Sequence, residues 1–295
     1  MKIAVTGAAG FVGRNLSAHL IEQGHIVTGI DISTRQPSVN NSVYRYIQAD
    51  TKLPGSWQEA INEADVTVNL AGKNIFGIWT PGYKKEVYES RVMTTKNVAD
   101  AVKAGSTLIN ASASGFYGNR ADAILTEDEE CGDDFLAGVC RDWEKEANKA
   151  EGKNARIVIL RFGIIIGRKE GALKSMLPAY RFGLGGALGS GKQWFPWIHK
   201  DDLVDVIAFA ISNNFSGIFN TCSPGLITQG QFSKSLAKAV GMPEFFPVPR
   251  VLLVAFLGDF GKAITASQRA VPQKLIDLGF EFKYNDIDNA LSDSL

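Results

Sequence analysis

The feature that most constrains this chain is a glycine-rich turn near its first residue. Gly7, Gly10 and Gly13 are spaced G-x-x-G-x-x-G, after the apolar residues 2–5 and before residues 15–21, which have helical spacing. A strand, a glycine turn and a helix in that order are typical of a dinucleotide-binding unit. The usual fingerprint is G-x-G-x-x-G, so the glycines alone would also fit an ordinary strand-to-helix turn.

Each glycine has its own physical task in this interpretation. Gly7 permits a tight turn, Gly10 lets a pyrophosphate approach the backbone without meeting a Cβ, and Gly13 lets the helix pack close to the strand. The exposed N–H groups and the positive end of the helix would then receive the phosphates. The residues predicted to form this phosphate site are Gly7, Ala9, Gly10, Phe11, Val12 and Gly13.

The residues after the second apolar run bear on the choice of dinucleotide. Residues 26–30 predict a strand that is followed by Asp31, at the distance of roughly 20 residues expected for a carboxylate that binds the adenosine ribose. That carboxylate would favour NAD(H), because it repels a 2′-phosphate. Arg35 lies in the next loop and could bind the phosphate of NADP(H) instead. The residues alone leave both cofactors open.

Charge and cysteine usage exclude several classes of protein. The chain of 295 residues has 31 basic and 31 acidic side chains, which argues against nucleic acid or an anionic membrane as the main partner. No apolar run approaches the roughly 20 residues that span a bilayer; residues 251–257 predict a core or interface helix. Cys131, Cys140 and Cys222 lack metal-ligand spacing, so we expect no metal site and a cytoplasmic location. The expected partner is a small-molecule substrate, and a homodimer is left open.

Strand and helix patterns alternate over the first two-thirds of the chain. Continuous β-branched runs separated by helices predict an α/β fold, a Rossmann-type doubly wound parallel sheet with a smaller C-terminal substrate lobe. We place the NAD(P)-binding domain at residues 1–167 and the smaller lobe at 168–295, with the chain returning to the sheet around 198–222. The predicted elements are strands at 66–71, 107–111 and 156–161 and helices at 89–102 and 143–149.

Motifs spread over the whole chain are similar to a known superfamily. The glycine turn, Asn69-Leu70-Ala71-Gly72, residues 112–118 and Arg161-Phe162-Gly163 resemble the extended short-chain dehydrogenases/reductases, which include the nucleotide-sugar epimerases. Residues 185–193, 197–202 and 267–272 look like an atypical branch, called the epimerase family or sugar-nucleotide-epimerase-like proteins, with its C-terminal segment of unassigned function. Members of that branch bind NADP(H) or NAD(H), and their reaction is generally not established.

The resemblance implies further site residues. In the superfamily, Leu70, Ala71, Gly72 and Ser112 correspond to positions around the cofactor. The branch precedent for an arginine on the 2′-phosphate, together with the reach of Arg35 from its loop, slightly favours NADP(H) over NAD(H).

The chain departs from the superfamily where protons move. A Tyr normally supplies the acid or base, and a Lys four residues later lowers its pKa and holds the ribose. None of the seven tyrosines here has a Lys four residues on. Leu136 falls near the Tyr position and Cys140 near the Lys position, and neither can perform the usual task.

Two sets of side chains are the remaining candidates. Ser112, Ser114 and Tyr117 are the predicted catalytic residues, on and after a strand end, although a tyrosine at position 117 is more often a packing aromatic. Arg181 and Gln193, together with Trp197, could line a substrate pocket, or the aromatic could belong to a core that joins the lobes.

Two functions follow from this pattern. The first is an NAD(P)-binding, epimerase-like oxidoreductase that acts on a small hydroxyl or carbonyl compound, possibly a nucleotide sugar. The second is a non-catalytic dinucleotide-binding sensor or scaffold protein. The intact cofactor motif favours the first, and the missing Tyr and Lys favour the second.

Overall fold

A computed structural model describes residues 1–37, 42–168, 170–244 and 247–295. The strands in this part of the chain are β1 Lys2–Thr6, β2 Ile26–Asp31, β3 Tyr44–Gln48, β4 Val66–Asn69, β5 Thr107–Ala113, β6 Ile124–Leu125, β7 Arg156–Phe162, β8 Ile164–Ile166, β9 Trp197–His199, β10 Gly217–Thr221 and β11 Arg269–Ala270. The helices are α1 Phe11–Glu22, α2 Trp57–Glu63, α3 Pro81–Ala101, α4 Phe135–Asn148, α5 Gly171–Arg181, α6 Lys200–Ser212, α7 Gln229–Ala239, α8 Arg250–Leu257, α9 Asp259–Ala263, α10 Gln273–Asp277 and α11 Ile287–Ser294. Two 3₁₀-helices cover Ser114–Tyr117 and Lys149–Lys153.

Seven of these strands form one parallel sheet in the order β10-β7-β5-β4-β1-β2-β3. Every neighbouring pair is parallel; Thr6 at the end of β1 lies between Ile30 of β2 and Asn69 of β4. Strand order reverses at β1, so the carboxyl ends of β1 and β4 flank the crevice where ligands bind in such sheets. The predicted α/β class with a Rossmann-type parallel sheet is confirmed.

The central strands are apolar because both of their faces are covered. Val5 and Val68 pack with Leu16 of α1 and Ile207 of α6 on one face. The opposite face packs Ala4 and neighbouring strand residues against α2, α3 and α4. This two-sided burial explains why the strands read as continuous apolar runs rather than alternating ones.

Two helices next to the crevice begin earlier than their apolar patterns predict. α3 begins at Pro81 rather than at residue 89, with the Thr80 hydroxyl accepting a hydrogen bond from the Tyr83 N–H. α4 begins at Phe135 rather than at residue 143, capped by Asp134. Capping residues and a proline in the first turn set these starts, and such signals do not depend on an apolar stripe.

The last third of the chain adds smaller units to the sheet. β8 pairs with β9 and β6 with β11, while β10 pairs with β7 at the sheet edge, within the range 198–222 where a return was expected. The domain boundary at residue 167 stays a prediction. Residues 251–257 are helical within α8, but Val251 and Phe256 are 77% and 78% exposed, so the core interpretation of that helix is wrong. Among the described residues no helix has both the length and the apolar character to cross a bilayer.

Candidate cofactor and active site

The turn between β1 and α1 has the backbone geometry that its glycines predict. Gly7 has a φ of +69°, in the left-handed region, and a Cβ there would lie 2.8 Å from the carbonyl carbon of Leu70. A Cβ on Gly13 would lie 2.2 Å from the Gly7 oxygen. Only glycine fits at positions 7 and 13, because an added Cβ would collide with backbone atoms that cannot move aside. The turn is therefore pressed against both α1 and the loop after β4.

The start of α1 leaves its amide groups available. Gly10 is the N-cap residue, its backbone is extended, and no side chain caps the helix. The first turn of α1 contains no acidic residue. Uncapped N–H groups at the positive end of a helix dipole form an anion site, which suits a pyrophosphate.

Asp31 ties this turn to the end of β2. One carboxylate oxygen accepts from the Ala9 N–H at 3.0 Å, and the other accepts from the Ser33 N–H at 2.9 Å. Arg35 is exposed two residues beyond Ser33, and its guanidinium has no partner in the described part of the chain. A carboxylate and an unengaged cation thus lie together at the end of β2.

A buried polar network joins the ends of β1, β4 and β5. The Thr6 hydroxyl donates to the Asn69 side-chain oxygen at 2.6 Å, and the Asn69 amide donates to Asn110 at 2.7 Å and to Thr95 at 2.7 Å. The Leu70 N–H then donates to the Thr6 carbonyl at 3.2 Å. These bonds fix Leu70 and the two residues after it beside the glycine turn, where the sequence placed the cofactor.

Leu136 and Cys140, which the resemblance places near the usual Tyr and Lys positions, lie on the side of α4 that faces the 3₁₀-helix after β5. A Cβ on Gly115 would lie 3.4 Å from Leu136 and 3.9 Å from the Cys140 sulfur. Burial raises the pKa of Cys140 to about 12, so its thiol is neutral near pH 7. This position therefore carries no charge of its own.

Ser112 takes part in a buried ion-pair network. Its hydroxyl donates to Glu144 at 2.6 Å, and the same carboxylate binds Arg161 through two hydrogen bonds of 2.9 Å. The guanidinium also stacks on Phe116, 3.4 Å from the ring centroid. The Arg161 and Glu144 side chains are 2% and 6% exposed, and a buried bidentate ion pair of this kind fixes the geometry of both residues.

Tyr117 is fully buried on the other side of the same network. Its hydroxyl lies 2.7 Å from the Asn220 side-chain oxygen and 2.9 Å from the Thr126 carbonyl, and it accepts from Arg161 at 3.0 Å. Burial raises the pKa of Tyr117 to about 12, against the opposing effect of the Arg161 charge. These contacts give it the packing role that the sequence left open. Ser114 differs, since its hydroxyl has no partner within the described ranges.

Comparison with known proteins agrees with this geometry. The model of the NAD dependent epimerase/dehydratase family matches residues 3–222, and a domain of unknown function matches residues 248–294. The chain belongs to the NAD-dependent epimerase/dehydratase family. Within it, the Bacillus subtilis epimerase family protein YfhF is 38% identical over 298 residues, covering 99% of this chain and 97% of that protein. A chloroplastic SDR39U1 homologue of Arabidopsis thaliana is 35% identical, covering 99% and 86% respectively.

Solved structures of epimerase-family proteins have the same fold. Human epimerase family protein SDR39U1, crystallised with NADPH, has a TM-score of 0.86 and 29% identity, covering 99% of this chain and 98% of that one. A UDP-glucuronic acid 4-epimerase from Bacillus cereus with NAD has a TM-score of 0.80 at 19% identity, covering 100% and 97%, and shows the fold alone. The predicted resemblance to this branch, including its C-terminal segment, is confirmed.

The predicted substrate residues of this epimerase-family chain are scattered. Arg181 is exposed at the end of α5. Gln193 donates to the Leu188 carbonyl at 2.8 Å, a contact within the glycine-rich segment at residues 185–193. Trp197 is 1% exposed in a core with Phe232, and its indole N–H donates to the Gly225 carbonyl at 2.9 Å. The core alternative accounts for Trp197, and we leave it out of the functional proposal.

The C-terminal segment contacts the loop after β4 across the crevice. Phe260 of α9 lies 5.5 Å from the Trp79 ring and 6.0 Å from the Phe76 ring, between centroids. Trp79 in turn contacts Phe135, the first residue of α4. Lys84 forms an ion pair with the aspartate at the start of α9. The rings of Phe76, Trp79, Phe135 and Phe260 therefore form an apolar cluster. Phe135 precedes Leu136 on α4, and Phe260 belongs to the C-terminal segment of unassigned function.

Sequence reasoning missed Glu144 and Arg161 as partners. Glu144 lies in the predicted helix 143–149, where a charged residue normally indicates a solvated face, and Arg161 was noted only for its motif with Phe162 and Gly163. The available signal was Arg161 itself, a charge within the otherwise apolar run of β7, which requires a buried partner.

Proposed function

We propose that the chain binds NADP(H) at the β1–α1 turn and transfers a hydride to or from a small hydroxyl or carbonyl compound. The observation that carries the proposal is the turn itself. Gly7 lets the turn approach the loop after β4, Gly13 lets α1 pack against the turn, and Gly10 leaves the uncapped start of α1 open to a phosphate. The NADPH bound to the human relative supports the same use of the site here.

The contacts of Asp31 and Arg35 support NADP(H) over NAD(H). Both Asp31 oxygens already accept backbone N–H groups, which partly offset the repulsion of a 2′-phosphate. Arg35 offers an unengaged guanidinium that suits a phosphate. The three cysteines are all unpaired thiols, which fits the proposed cytoplasmic location.

Proton transfer has few available routes in this site. The bound cofactor would supply or accept the hydride. Ser114 offers its hydroxyl to orient a substrate oxygen, and Ser112 can accept a hydrogen bond while it donates to Glu144. The proton itself would pass through Ser114, a bound water or the substrate. Because a positioned general acid contributes about 10²–10⁴-fold, turnover without the usual Tyr should be slow.

The test has a binding stage and a turnover stage. Calorimetric titration with NADPH and NADH measures affinity and preference; no binding of either would refute the proposal. The purified protein is then assayed with UDP-glucose, UDP-galactose, small ketones and aldehydes, following NADPH absorbance and sugar epimerisation. Turnover that falls in Ser114→Ala and persists in Tyr117→Phe supports the roles above, and rapid turnover that survives Ser112→Ala, Ser114→Ala and Tyr117→Phe contradicts them.

A second function, non-catalytic cofactor sensing, has its own support. The resemblance matches the positions of the proton-transferring pair to Leu136 and Cys140, which cannot perform its task, and Tyr117 is buried inside the ion-pair network. Tight cofactor binding with no turnover on any compound would favour this second function.

A further inference from the structure

Arg91 on α3 is a cation placed in the crevice without a counter-ion. Its side chain is partly buried, and no carboxylate in the described part of the chain lies within 4.0 Å of it. Its hydrogen bonds go from Nη1 to two backbone carbonyls, Lys73 at 2.9 Å and Val87 at 3.2 Å. A partly buried charge satisfied only by carbonyls is costly unless a further acceptor binds it.

The Arg91 guanidinium lies between Gly72 and the ring of Trp143. An added Cβ on Gly72 would lie 3.2, 3.3 and 3.4 Å from Cζ, Nη2 and Nη1 of Arg91, so the face of the guanidinium lies under Gly72. Cζ is 5.3 Å from the Trp143 ring centroid. Stacking of this kind fixes the plane of an arginine and leaves its edge free to donate. Nη2 and Nε have no hydrogen-bond partner among the described residues.

The same cation lies close to the position of the missing lysine. Arg91 stacks on Trp143, which lies on α4 three residues after Cys140, and the Cys140 thiol is neutral near pH 7. The superfamily lysine supplies a positive charge at that position and holds the nicotinamide ribose. Here the positive charge comes from Arg91 on α3, which lies against α4 through its contact with Trp143.

We propose that Arg91 replaces the missing lysine as the residue that holds the nicotinamide-side ribose of the cofactor, donating to its hydroxyls from Nη2 and Nε. This inference rests on the proposed function and names a positioning role, not an acid, because arginine remains charged at all ordinary pH values. It accounts for the unpaired cation, for the absence of a Cβ at residue 72 and for the neutral residue at the lysine position.

Three ligands distinguish this role from general stability. The compound 2′-phospho-ADP has both phosphates of the pyrophosphate but lacks the second ribose, 2′-phospho-ADP-ribose contains that ribose, and NADPH contains the ribose and nicotinamide. Arg91→Met should weaken NADPH and 2′-phospho-ADP-ribose by about 10–100-fold, the range for charged hydrogen bonds, and leave 2′-phospho-ADP unchanged. Lys85→Met on the same helix, whose side chain is 73% exposed, is the matched control.

The possible outcomes distinguish a failure of the Arg91 role from a failure of the proposed cofactor binding. If wild-type protein binds no NADPH, the proposed function fails. If wild type binds NADPH and Arg91→Met binds all three ligands with wild-type affinity, the Arg91 role is refuted. Arg91→Lys should recover part of the lost NADPH affinity. If Arg91→Met does not fold, the wild-type protein gives the test: 2′-phospho-ADP-ribose must bind at least about tenfold more tightly than 2′-phospho-ADP, and equal affinities would refute the Arg91 role.

Discussion

The two halves of the crevice are built by different means. The phosphate half, where we propose that the pyrophosphate binds, consists of backbone, because Gly7, Gly10 and Gly13 exclude side chains and leave amide groups uncapped. The nicotinamide half, which we propose for the other end of the cofactor, consists of side chains, with Ser112 fixed by the buried pair of Glu144 and Arg161. Backbone sites tolerate few residue types, whereas a side-chain site can be rebuilt with different chemistry in the same fold.

The largest effect should come from breaking the buried ion pair. Arg161→Met should lower the free energy of unfolding by about 3–5 kcal/mol, because it leaves Glu144 buried without its partner. Chemical denaturation followed by circular dichroism measures this change. Arg141→Met, which removes an exposed guanidinium, should change stability by less than about 0.5 kcal/mol. Equal losses in the two variants would show that the pair does not hold this half of the crevice.

The phosphate half should fail in binding rather than in folding. Gly10→Val should raise the Kd for NADPH about a hundredfold or more, roughly 2.7 kcal/mol, because the side chain occupies the space of the pyrophosphate. Gly10 has ordinary backbone angles, and an added Cβ would lie 3.1 Å from the Gly7 oxygen, so the fold should survive. Calorimetric titration makes the measurement. Gly138→Val on α4, where an added Cβ meets nothing within 4 Å, is the control. Unchanged affinity in a folded Gly10→Val would remove the phosphate site from this turn.

A smaller effect should separate the two dinucleotides. Arg35→Ala should weaken NADPH by about tenfold, or 1.4 kcal/mol, and leave NADH unchanged, because only NADPH carries the 2′-phosphate. Titration of both cofactors against wild type and variant gives the ratio. Arg45→Ala, on the neighbouring strand β3, controls for the general loss of a surface charge. An unaltered NADPH affinity in Arg35→Ala would mean that another group binds the phosphate.

The smallest effect concerns Cys140, the thiol at the lysine position. Since burial raises its pKa to about 12, it should remain unlabelled by iodoacetamide at pH 8 in the native protein. The buried Cys222, whose pKa is also raised, should behave alike, while the partly exposed Cys131 should label faster than both. Peptide mass spectrometry before and after unfolding reads each site. Rapid labelling of native Cys140 would show an accessible thiolate in the crevice.

These regions also differ in how far the sequence predicts them. The phosphate turn is local, so strand, glycines and helix lie within residues 2–22 and their spacing reports the geometry directly. The ion pair joins Glu144 to Arg161 across a helix and a strand, and Arg91 reaches Trp143 from another helix. The apolar residues around Arg161 on β7 mark it as buried. No local pattern distinguishes Glu144 or Arg91 from a solvated charge, because their burial depends on the packing of whole elements.

The core alternative for the helix at residues 251–257 failed for the same reason, and the interface alternative stays a prediction. Their apolar run predicts a helix, and the helix forms as α8, but Val251 and Phe256 face outward. Hydrophobicity along a segment indicates that it can be buried and does not indicate what covers it.

The strand order of the sheet also has a consequence for how the protein is made. From β1 outward, chain order rises on both sides, through β2 and β3 on one side and β4, β5, β7 and β10 on the other. Each strand leaving the ribosome therefore meets an open edge, and none must be threaded between two already paired strands. A nascent chain that has emerged as far as residue 113 holds five strands in their final order, with the phosphate turn complete. We expect ribosome-arrested chains that have emerged as far as residue 113 to resist proteolysis across residues 2–72. Cleavage as rapid as in an unfolded chain would show that the sheet assembles only after release.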